Sequence, residues 1–156
     1  MTMSSKSTQS PTNGLDLAVF DQMQKAQEEG IDVPIRGPDG KDLGFSIKIA
    51  GPDSERQRRA IDTIRDERLQ SMDPTPLTAE QIGHQNIRGI ALATISWTPF
   101  KLDGMEPPCT ENQAIALYKR FPFIREQVEA KAGSRASFIR HSSGDSSNPS
   151  AAGSTS

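Results

Sequence analysis

One cysteine, Cys109, and two histidines, His84 and His141, are all that 156 residues offer for sulfur or imidazole chemistry. A single thiol excludes an intramolecular disulfide framework. One cysteine and two histidines at unrelated spacings do not make a zinc site. A His–Cys nucleophilic pair would have to use Cys109 on a proline-rich loop with no supporting motif, so a structural thiol is the better reading. No glycine-rich phosphate loop with its lysine is present; Gly37-Pro38-Asp39-Gly40 has no helix behind it and reads as a turn. Carboxylates are plentiful but scattered. No catalytic residue, metal or cofactor is assigned, and the chain reads as non-enzymatic.

Charge of one sign is also missing. Eighteen Lys and Arg against twenty Asp and Glu leave −2, which gives no electrostatic footprint for DNA or RNA. No apolar run approaches the ~18–20 residues of a bilayer-crossing helix. The amino-terminal stretch lacks the apolar region of a secretory signal, so a reducing cytoplasm is the expected location.

Apolar residues are scarce too, at 33%. The ends, 1–14 and 141–156, are Ser/Thr/Asn/Gly/Pro-rich with almost nothing to bury, and are expected to be disordered tails. Residues 15–140 then form one small domain with a modest core. A core this lean fits either a fold stabilised by a bound partner or a marginal monomer, and composition leaves both open.

What is there predicts a mainly α chain with a small β-hairpin, an α+β class. Leu15, Val19, Met23 and Ala26 lie on one stripe of a helix over 15–29, ended by Gly30. Strands are expected at 32–36 and 44–50, where Phe45, Ile47 and Ile49 alternate with polar residues across the Gly37–Gly40 turn. Pro34 confines the first strand to an edge or a strand end. Ser54 and Gln57 have capping-box spacing and open a helix over 54–72. Its arginines, Arg56, Arg58, Arg59, Arg65 and Arg68, are interleaved with Glu55, Asp62, Asp66 and Glu67, which reads as a solvated face with i,i+4 ion pairs. Thr78 and Gln81 repeat the box. From Ile87 to Trp97 the pattern fits helix and strand alike: Gly89 and the β-branched residues oppose a helix, while the cap and the length favour one. Thr110 opens a third box and a helix over 111–119, and Pro122 suits the first turn of a last helix over 122–139, weakened by Gly133.

Three groups of residues carry a resemblance. Asp42-Leu43-Gly44-Phe45-Ser46-Ile47 leads to Gly51-Pro52-Asp53-Ser54, and Trp97 is followed by a loop with Asp103-Gly104. Cys109-Thr110-Glu111-Asn112 then runs to Leu117-Tyr118, Phe121 to Val128, and Arg135-Ala136-Ser137-Phe138. In order and spacing, over about residues 15–140, these resemble the tail assembly chaperones of long-tailed phages. The resemblance implies a mostly helical protein of the host cytoplasm, absent from the mature virion. It would bind the tape measure protein, keep its long apolar helices from aggregating, and help recruit tail tube subunits. It also tips 78–98 toward a single helix. The hairpin at 31–50 departs from an all-helical picture. No nucleic acid or membrane partner is implied, and a homo-oligomer is left open.

A holdase needs an apolar surface that is open when free and covered by its client. The aromatics cluster late, at Trp97, Phe100, Tyr118, Phe121, Phe123 and Phe138; with Ile124, Gln127 and Val128 they form the candidate interaction set. For Trp97 and Tyr118 a place in the core is preferred, whereas Phe121 and Phe123 suit core and client surface equally. The rival readings are a structural virion protein, such as a tail terminator or head–tail connector subunit, and a small nucleic-acid-binding regulator.

Overall fold

The computed structural model describes residues 14–142. The segments 1–13 and 143–156, read above as disordered, lie outside the described residues. A 3-10 turn, Leu17–Phe20, leads into α1 (Asp21–Glu29), β1 (Ile31–Arg36) and β2 (Asp42–Ile49). There follow α2 (Glu55–Ser71), α3 (Ala79–Ala93), β3 (Thr94–Trp97), α4 (Glu111–Arg120), α5 (Pro122–Ala132) and α6 (Arg135–Ser142). The molecule is mostly helical with one antiparallel sheet of order β1-β2-β3. The α+β class therefore holds, with one strand more than the sequence suggests.

β1 alternates strictly: Ile31, Val33 and Ile35 point into the core, and Asp32, Pro34 and Arg36 point out. Pro34 sits on an edge strand, where its missing N–H breaks no ladder. Farther along the same edge, the Arg36 N–H donates to Gln127 Oε1 (2.9 Å) and its carbonyl accepts from Gln127 Nε2 (2.8 Å). Proline and glutamine together leave this edge little to offer another strand. The turn closes through Gly37 N–H to Lys41 O at 2.8 Å, with Gly40 at φ 85°, a conformation open to glycine at no steric cost.

The ambiguous segment turns out to be both things in succession. Thr78 and Gln81 form a complete capping box, and α3 runs to Ala93. Thr94 then turns extended, with its hydroxyl folded back onto the Ile90 carbonyl at 2.8 Å. Thr94, Ile95 and Trp97 continue as β3, where β-branched and aromatic side chains fit the pleat. A single helix over 78–98 is thus corrected.

Three further boundaries move. The helix expected from residue 15 is instead a 3-10 turn started by Asp16, whose carboxylate accepts from Ala18 N–H at 2.9 Å; the α-helix begins at Asp21. Leu15 and Val19 find no core to face and stay exposed. The helix expected over 122–139 is broken at Gly133 and Ser134, whose N–H groups bond back to Glu129 and Lys131. The carboxy-terminal helix α6 then includes His141 and Ser142, two residues assigned above to a tail.

One core cluster joins the inner face of the sheet to α3, α4, α5 and α6. Tyr118, Phe138, Ile35, Ile47, Ile49 and Val128 are its largest fully enclosed side chains. Each such apolar side chain contributes roughly 1.5–3 kcal/mol relative to exposure. A polar knot fastens the two ends of the described chain. Gln27, fully buried on α1, accepts from Asp53 N–H through Oε1 and donates to the Asp53 carboxylate at 3.2 Å. That carboxylate takes both nitrogens of a bidentate Arg135, each at 2.6 Å. Gln57, placed for a capping box, reaches the carbonyls of Ala50 (2.8 Å) and Ala132 (2.9 Å) instead. Ser54 alone supplies the cap, accepting from Gln57 N–H.

Candidate functional site

The aromatic candidates divide into two groups. Tyr118, Ile124, Val128 and Phe138 are buried in the core, the place preferred for Tyr118, and the interaction role proposed for the other three is withdrawn. Their burial is required to close the helices onto the sheet. Tyr118 carries a polar tip inward, and its hydroxyl lies 2.7 Å from Thr94 Oγ1. Since the single Thr94 proton goes to the Ile90 carbonyl, Tyr118 is the donor. Burial holds the phenol far above its ordinary pKa. Gln127 is a strand-edge clamp that also donates to the Phe123 carbonyl, so its side chain is committed internally.

Trp97, Phe100, Phe121 and Phe123 are half-buried and reach the surface. Phe100 packs on Phe45 (centroids 4.5 Å apart) and meets Trp97 edge-on at 5.2 Å, while Phe121 and Phe123 meet at 6.0 Å. Phe100, Phe121 and Phe123, but not Trp97, line an open apolar groove of about 360 Å³ together with Leu43, Leu102 and the core residues Leu117 and Ile124. Two contacts brace residues that adjoin it. Trp97 Nε1–H donates to the Pro107 carbonyl at 3.1 Å. The Arg120 guanidinium makes two bonds to Asp103, at 2.7 and 3.0 Å, and lies 5.2 Å from the Phe121 ring centroid. Arg120 holds the Asp103 carboxyl below the usual range.

A second apolar surface escapes a reading based on aromatics. α2 packs chiefly against α3 and buries a single residue, Ala60. Ile61 and Leu69 on α2, Met72 just past its end and Ile82 on α3 are left exposed, Leu69 at 69%. Beside the α2–α3 seam lies a groove of about 530 Å³ floored by Ile61, Ile64, Gly89 and Ile90. A wider cleft of about 820 Å³ continues toward the tip of the helix pair, past Leu77 and Ile87. Arg88 fastens the pair to the body, ion-paired with Glu67 on α2 and, at 2.8 Å, with Glu111 on α4. The spacing of Ile61, Ile64 and Leu69 was the available signal: they fall on one broad helix face, offset from Ala60. A third exposed apolar stretch is Leu15, Leu17, Val19 and Phe20.

Cys109 is half-buried, and desolvation raises its thiol above the ordinary value. No group of three or more His, Cys, Asp and Glu side chains that could hold a metal occurs among the described residues. No helix among them is long and apolar enough to cross a membrane. Comparison with protein-family models, with curated proteins and with solved structures finds no match.

Proposed function

We propose that this chain is a non-enzymatic protein-binding module that acts as a tail assembly chaperone of a long-tailed phage. In this reading it binds the apolar helices of the tape measure protein in the host cytoplasm. It helps recruit tail tube subunits and leaves before the virion is complete. One observation carries the reading: the core closes without Ile61, Leu69, Leu43, Met72, Ile82, Leu15, Leu17, Val19 and Phe20, which stay on the surface, and the first three of these line open apolar grooves. Exposed apolar surface of this kind marks a site for another polypeptide. Grooves between helices and beside aromatic rings suit the apolar face of a client helix. The sequence resemblance supplies the identity of the client.

Co-expression with the long helical-repeat protein encoded next to a tail tube gene tests this. The two proteins are expected to co-purify, and mass spectrometry of finished virions is expected to find this chain absent. Stoichiometric presence in virions would instead make it a structural tail or connector subunit.

A further inference from the structure

We propose that the α2–α3 face docks an amphipathic helix whose apolar stripe is bordered by acidic side chains. The inference rests on the protein-binding reading above and specifies the chemistry of the partner. The apolar floor is Ile61, Ile64 and Leu69, with Ile61 half-exposed. It lies along a seam between two helices, the geometry in which the ridge of a third helix seats. Gly89 opens the floor further: a Cβ there would meet only Ile64 Cδ1, at 3.9 Å. A glycine inside a helix lowers its stability, and nothing packed in this molecule requires this one. A partner backbone approaching closely would use the space.

Charge decides the occupant. Along the chain the acids and bases of α2 alternate, but only two of them, both basic, reach the groove. The charged residues lining the groove are Arg65, Arg68 and Glu129, and Glu129 is already paired with Arg125 at 3.3 Å. None of the α2 acids Glu55, Asp62, Asp66 and Glu67 lines it. The Arg65 side chain has no hydrogen-bond or ion-pair partner among the described residues, whereas Arg68 keeps its full charge while donating to the Thr75 carbonyl. A second copy of this chain is a poor occupant, because a two-fold interface would set the same arginines against each other. The chain's own ends are no better, since residues 1–13 and 143–156 hold one acid between them, Asp145. A helix with glutamates beside its leucines satisfies both the floor and the rim.

The test uses the full chain and two fluorescent peptides of about 18 residues, long enough to form a helix on the surface. Both carry the same leucine stripe, flanked in one by Glu and in the other by Lys. By fluorescence anisotropy the Glu peptide is expected to bind about tenfold more tightly. The double change Arg65→Glu with Arg68→Glu should reverse that preference, and Ile61→Glu with Leu69→Glu should abolish binding of both. All four positions are at least partly exposed, and circular dichroism verifies the fold of each variant. Equal affinity for the two peptides, or binding untouched by the α2 changes and lost in Phe123→Ala, would overturn the inference while leaving the protein-binding reading intact. Absence of peptide binding alongside successful co-purification of the tail protein would do the same. Failure of both removes both.

Discussion

Two buried contacts show how single residues set the stability of this fold. Tyr118 donates to Thr94, which donates to the Ile90 carbonyl, a relay that joins α4 to the junction of α3 and β3. Tyr118→Phe leaves Thr94 still bonded and is predicted to cost about 1 kcal/mol. Thr94→Val strands the buried phenol and should cost more, about 2–3 kcal/mol. Urea denaturation of the two variants checks the order; a larger loss in Tyr118→Phe would reverse the assigned direction of the relay. Asp53 supplies a pH dependence. The Arg135 guanidinium, aided by Gln27, holds its carboxyl below the ordinary value of 3.8. A depressed acid contributes stability that is present above its unfolded value and lost as pH falls through the folded one. Wild type is therefore expected to exceed Asp53→Asn in urea midpoint at pH 7, with the gap closing toward pH 3. Gly51 belongs to the same knot: a Cβ there would fall 2.6 Å from that of Gln27. Gly51→Ala is predicted to destabilise by about 2 kcal/mol through overpacking.

At the scale of elements, the parts that sequence patterns expose best are those whose local chemistry is self-sufficient. Gly30, Pro34, the Gly37–Gly40 turn, the Thr78 box and Pro122 act within a few residues, and each sits where its chemistry demands. The passage from α3 to β3 was unreadable because two periodicities overlap on Ala91 to Trp97, and the choice is made by Thr94 together with pairing to β2. The break at Gly133 is likewise tertiary, since α6 turns to bring Arg135 to Asp53 and Phe138 into the core. In the interaction surface, sequence reasoning favoured late aromatics, two of which, Tyr118 and Phe138, are buried in the core. It passed over Ile61 and Leu69 because the evenly mixed charge along α2 reads as a solvated face, and which of those charges reach the groove is set by packing on α3. The glycines of α3 allow a check. Around Gly83 nothing lies within 4 Å of an added Cβ, so Gly83→Ala should stabilise the free protein by about 0.5–1 kcal/mol. Thermal unfolding measures this, and a loss would mean that the helix is held more tightly there than its open surroundings indicate.

For the whole molecule, the balance between core and surface matters most. The sheet, α3, α4, α5 and α6 make a closed body, while α2 and the amino-terminal turn carry large apolar side chains outside it. α3 is packed into that body, whereas α2 is held mainly by α3, by Gln57 to the Ala50 and Ala132 carbonyls and by Glu67 to Arg88. A partner that binds only this folded arrangement stabilises it by mass action, so the free protein should gain heat resistance on complex formation. The most direct measurement is affinity co-purification of the full chain with the co-expressed tape measure protein, repeated with Ile61→Glu combined with Leu69→Glu. Recovery of a complex by the wild type and its loss in the folded variant is the predicted result. A variant that recovers the tape measure protein as well as the wild type does, or a wild type that recovers none, would contradict an exposed α2 face held open for another polypeptide.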